Sequence, residues 1–77
     1  SKNKIIIQTS SFKKISLSKK HIIFMTNKFD FLRQFNHHIN KKGKYFTSYL
    51  VIPNYKLANS ICEKIKLKRL DCIVKTI

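Results

Sequence analysis

Tyr49-Leu50-Val51-Ile52-Pro53-Asn54-Tyr55-Lys56-Leu57-Ala58-Asn59-Ser60-Ile61-Cys62-Glu63-Lys64-Ile65 contains the change of periodicity that decides the fold. Its first four residues are aromatic, branched or bulky and suit a strand, and Pro53 cannot donate to a continuing ladder. Asn54 is placed to cap a helix. Beyond it Leu57, Ala58, Ile61, Cys62 and Ile65 recur at helical spacing, while Lys56, Asn59, Ser60, Glu63, Lys64 and Lys66 point elsewhere. The spacing predicts a strand over 45–52 and a helix over 54–66.

Downstream, 67–69 reads as a link and 70–77 as a second strand whose two faces both carry apolar residues, so burial from two sides is expected. A strand, helix, strand unit with a short link favours a right-handed crossover and parallel pairing, and two strands alone leave an edge to be covered. Upstream, Phe31, Leu32, Phe35 and Ile39 predict an amphipathic helix over 28–39, capped by Thr26 or Asn27 and with Asp30 in its first turn. Residues 40–44, which include the only glycine, form a polar turn. The expected fold is α+β: a small helix-strand-helix-strand domain over 26–77 behind a basic N-terminal extension over 1–25, with weak β-like pieces at 5–8 and 12–17. The sheet edge is expected to be completed by another chain.

The chain has 77 residues, 43% of them hydrophobic, enough for one domain with a modest core that buries about 60% of the unfolded surface. Seventeen Lys and Arg oppose Asp30, Glu63 and Asp71 for a net charge of +14, which points to a polyanionic partner, nucleic acid first. Lys, Ile and Asn are abundant in the manner of an AT-rich coding source, but that bias does not explain the shortage of acids. No apolar run approaches the ~20 residues that cross a bilayer. The first residues resemble a transit peptide in lacking acids, yet have no arginine, so a retained arm is expected. Cys62 and Cys72 lack metal-site spacing and are expected to be reduced structural cysteines.

The candidate RNA contacts are Lys41, Lys42 and Lys44 around Gly43, where amines approach phosphates unobstructed, then Lys56, Arg33, and the arm's Lys13, Lys14, Lys19 and Lys20. Each is, taken singly, equally readable as a solvated surface charge. Tyr45, Phe46 and Tyr49 can stack on bases, but strand alternation directs at least every second one to the core. His37 and His38, adjacent on a helix, diverge by about 100° and do not share a metal. No nucleophile, base and carboxylate set assembles from three acids, so neither an enzyme, a metal nor a cofactor is expected.

Asp30 and Leu32 in the first helix, the basic turn, Pro53, Lys56-Leu57, and Ile61 with Ile65 together resemble the N-terminal domain of the ribosomal small-subunit protein eight family. The likeness covers about residues 26–77 and runs without a gap from Pro53 to Leu70, where Leu70 replaces an aromatic residue. Gln34 and Asn36 stand where the family has arginines, Arg69 where it has glycine, and the loop before the strand is longer. The resemblance implies a structural constituent of an organellar small ribosomal subunit, mitochondrial or, alternatively, of a plastid-type organelle. Its partners would be small-subunit rRNA and neighbouring ribosomal proteins, one completing the edge near Leu70 to Ile77, with no membrane contact. Lys56 would lie against rRNA. The family's C-terminal domain has no counterpart in this chain; a separate polypeptide or another protein would supply its place. The alternative is a basic peripheral membrane or nucleoid-associated protein using its amphipathic helices.

Overall fold

The computed structural model describes residues 4–76. Ser1 to Asn3 of the expected arm and Ile77 of the expected last strand lie outside the described residues. The order is β1 (Ile5–Phe12), α1 (Ile15–Lys28), a short 3-10 helix (Asp30–Gln34), β2 (His37–Lys42), β3 (Tyr45–Ile52), α2 (Tyr55–Leu67) and β4 (Ile73–Thr76). The four strands form one antiparallel sheet in the order β2-β3-β1-β4. This is the split βαβ, or ferredoxin-like, arrangement, an α+β domain with an open sheet.

The junction at Pro53 is as the periodicity predicts. β3 ends at Ile52, and the Asn54 side chain accepts a hydrogen bond from the Leu57 backbone N–H at 2.8 Å, satisfying one of the free donors at the start of α2. Ala58, Ile61, Cys62 and Ile65 are buried, whereas Leu57 is exposed. The helix ends in a Schellman turn: Arg69 N–H bonds Lys66 O at 2.9 Å and Leu70 N–H bonds Ile65 O at 3.4 Å, with Arg69 in the left-handed region at φ 60°.

The N-terminal third departs from expectation. Residues 4–25 are no extension: β1 is a central strand, paired with β3 from Ile5↔Ile52 to Phe12↔Phe46 and with β4 from Ile5↔Thr76 to Gln8↔Ile73. The domain therefore takes in this segment as well as 26–76. β3 and β4 still run parallel across α2, but β1 lies between them, so the expected direct parallel pairing is replaced by two antiparallel ladders. β1 fills the inner side of β4 from within the chain, and β4 remains an edge strand with its outer side open. Burial there is one-sided: Cys72 is buried and Val74 half-buried, while Ile73 is exposed.

The expected helix over 28–39 is also replaced. α1 ends at Lys28, and Thr26, instead of capping a following helix, donates back to the Ile22 and Ile23 carbonyls. Phe31, Leu32 and Phe35 fall in and just after the 3-10 turn, and Ile39 lies in β2, so their helical spacing is a coincidence of three different elements. Asp30 and Leu32 consequently do not lie on an α-helix, which leaves the family resemblance resting on the segment from Pro53 onward. The turn narrows to Gly43 and Lys44, a two-residue hairpin loop with Gly43 at φ 63°.

Both helices cover one face of the sheet. Ile7, Leu50 and Ile52 meet Met25, Phe29, Leu32 and the buried stripe of α2 in a single core. Under α1 the packing is by small hydroxyl residues: Ser18 donates to Phe46 O at 2.8 Å, and Ser48 bonds Ser10 and Thr9 where a bulge interrupts β1. Cys62 and Cys72 are joined in a disulfide, not reduced as expected, because α2 and the lead into β4 bring their Cα atoms to 5.3 Å.

Candidate nucleic-acid interface

Two surfaces carry the features expected of a nucleic-acid contact, and the sheet register fixes both. The first is the end of the sheet where β1 finishes and the β2–β3 hairpin turns. Phe12 and Lys41 both register with Phe46, so Lys13 and Lys14, which follow Phe12, come beside Lys41, Lys42 and Lys44. Two basic groups far apart in sequence thus meet at one end, all exposed. Lys41 leans over the Phe46 ring, 5.8 Å from its centroid, and Phe46 is turned to the helix side. The sparse hairpin loop leaves these amines unobstructed, and nothing lies within 4 Å of where a Cβ on Gly43 would stand.

The remaining candidates lie apart. Lys19 and Lys20 are exposed on α1, beside the buried Ser18 that bonds the Phe46 carbonyl. Lys56 sits in the first turn of α2, past Ile52 at the opposite end of β3. Arg33 is engaged within the chain: its Nε donates to Asp30 Oδ1 at 2.7 Å and its Nη2 to Asn27 Oδ1 at 3.0 Å. That pair is exposed and adds little stability, but it holds the guanidinium away from other partners.

The second surface is the sheet face opposite the helices. Strand alternation places His38, Asn40 and Lys42 of β2, Tyr45, Thr47, Tyr49 and Val51 of β3, Ile6, Gln8 and Ser11 of β1, and Ile73 and Lys75 of β4 on it. His38 stacks on Tyr49 with ring centroids 5.2 Å apart and 24° between planes. A hollow of about 430 Å³ runs across the face from Lys42 and Tyr45 past Thr47, Tyr49 and Gln8 to Lys75. No carboxylate is among the described residues that line this hollow; Asp71, just before β4, lines the neighbouring one with Gln8, Ser11 and Ile73. His37 and His38 point to opposite faces, and His37 Nε2 lies 3.1 Å from the Leu32 carbonyl. Among the described residues no group of three or more His, Cys, Asp or Glu could hold a metal.

Sequence reasoning singled out the hairpin lysines and the two tyrosines but missed Lys75, Gln8, Asn40 and His38. The alternation of 70–76 carries the signal for Lys75, since it lies opposite in parity to the buried Cys72. Gln8 was invisible without β1, and Asn40 and His38 without β2.

His21 lies between Phe12 and Phe24, with ring centroids at 5.7 and 5.8 Å, and its buried Nε2 has no partner among the described residues. Desolvation lowers its pKa from the ordinary 6.5, which favours a neutral ring packed as an apolar one. Among the described residues no helix is long and apolar enough to cross a membrane. No protein-family model, curated protein or solved structure matches the chain.

Proposed function

We propose that this chain is an RNA-binding domain of an organellar small ribosomal subunit, gripping rRNA by phosphate and shape contacts. The observation that carries the binding is the convergence of Lys13, Lys14, Lys41, Lys42 and Lys44 at one end of the sheet in a chain of net charge +14. Amines so clustered release counterions together when they meet a phosphate backbone, which supplies affinity without reading sequence. The ribosomal setting rests on the Pro53-to-Leu70 resemblance, with the mitochondrial matrix as the proposed location and a plastid-type organelle second. Neighbouring ribosomal proteins complete the proposed surroundings. Co-sedimentation with small subunits, stripped by high salt, is the expected result. Recovery only in ribosome-free fractions would remove the ribosomal setting, and failure of the isolated domain to bind RNA at low salt would remove the function itself.

A second reading, a basic peripheral membrane protein, is favoured by one observation. α1 exposes Leu17, Ile23 and Phe24 on the side that also carries Lys20 and Lys28. Against it, the helix with the clearest apolar stripe, α2, spends that stripe on the core. Flotation with anionic liposomes in the absence of RNA separates the two.

A further inference from the structure

The open face of the sheet has a different chemistry from the basic end, and it suggests what kind of RNA is bound. On the helix-covered face the central strands present Ile5, Ile7, Leu50 and Ile52. On the open face the same strands present Ile6 and Val51 at the end away from the hairpin, then Gln8, Ser11, Thr47, Tyr49 and, at the hairpin, the 45%-exposed Tyr45. A surface awaiting a second protein layer would carry aliphatic residues in these central positions. Here the central aliphatic pair, Ile6 and Val51, is confined to one end, and the stretch from Gln8 to Tyr45 carries flat rings, two side-chain amides and hydroxyls.

We propose that this face is a platform for single-stranded RNA, with the strand crossing obliquely from Lys42 to Lys75 and bases stacking on Tyr45 and on the Tyr49–His38 pair. The inference rests on the RNA-binding reading above and deepens it. Lys42 and Lys75 stand at diagonal corners of the hollow, and by strand spacing and rise they are about 25 Å apart. That length suits the short end of single-strand sites, about four nucleotides. Charge complementarity selects the occupant: the hollow has a lysine at each end and no carboxylate among its described lining residues. Stacking on an aromatic needs a splayed base, which an A-form duplex does not offer. Gln8 registers with Tyr49, and Asn40 with Thr47, the next open-face position along β3. An amide beside a stacked base can donate and accept at its exposed edge, so these two residues give the site a base preference that the lysine cluster lacks.

The test uses the full chain with labelled oligouridine, oligocytidine and oligoadenosine of about eight nucleotides, and an RNA duplex carrying the same number of phosphates. The single strands bind more tightly than the duplex. Tyr49→Ala lowers single-strand affinity about tenfold while leaving the salt dependence unchanged, and Tyr45→Ser, at an exposed position that folding does not need, lowers it in the same sense. Replacing Gln8 and Asn40 by Ala narrows the spread of affinities among the three homopolymers. Equal or tighter binding of the duplex overturns the proposal. So does wild-type binding by both tyrosine variants when Lys41, Lys42 and Lys44 changed to Gln abolish it; in that case RNA binding stands and only the platform fails. Absence of binding to every RNA removes both.

Discussion

Arg69 shows how one residue can be held against its own preference. The Schellman turn that ends α2 requires a left-handed residue, and a side chain there costs about 1–2 kcal/mol relative to glycine. Arg69→Gly loses part of that gain to the greater freedom of the unfolded chain, so the net expectation is stabilisation by about 1 kcal/mol, read as a raised urea midpoint at unchanged slope. His21 makes the opposite case, a titratable ring used as an apolar one. Burial lowers its folded-state pKa below the unfolded 6.5, so the unfolded chain takes up the proton first as pH falls. Its contribution is complete above about pH 6.5 and is lost as pH drops through that value toward the folded pKa. His21→Phe is expected to flatten this part of the stability profile, measured by denaturant unfolding on both sides of pH 6.5.

At the scale of elements, what could be read in advance depended on how one-sided each element's surroundings are. β3 and α2 alternate or repeat cleanly because each has one wet and one dry face, and Pro53 and Asn54 punctuate them by chemistry that acts locally. β1 is central, and its run Ile5-Ile6-Ile7 gives way to Gln8-Thr9-Ser10-Ser11 where the bulge and Ser48 sit under α1, so no two-residue period survives. α1 buries only Ser18 and Met25 while exposing Ile23 and Phe24, which erases the helical stripe. β2 is an edge strand of polar residues, and such a strand is recognised by its partner more than by its own composition. The candidate site was accordingly half legible: the lysines announce themselves, but which of them meet is a matter of register. The Cys62–Cys72 bridge belongs to this scale too, since it ties α2 to the lead into β4. Its separation of 10 residues corresponds to about 2–3 kcal/mol in the chain-entropy model. Reduction is expected to lower thermal stability by that order while retaining the fold, because the core of α2 remains, and calorimetry with and without reductant measures it.

Across the whole molecule the net charge of +14 makes the protein's behaviour a function of salt. If five lysines at the hairpin end each meet a phosphate, the logarithm of single-strand affinity falls with the logarithm of salt concentration at a slope of about −3.5. Changing Lys42 and Lys44 to Gln should reduce that slope by about 1.4, as titrations across a salt series would show. A slope near zero would mean the cluster is a solvated face.

The pairing of Ile5 with Thr76 places the two ends of the described chain side by side, and this governs how the molecule assembles in time. The β2–β3 hairpin closes over a two-residue loop, a microsecond event available to a partly made chain. β1 has nothing to pair with until β3 has been made, and its other edge at Ile5–Gln8 stays bare until β4 arrives. Contacts of such sequence separation slow folding, so β1, one of the two central strands, is the one that waits.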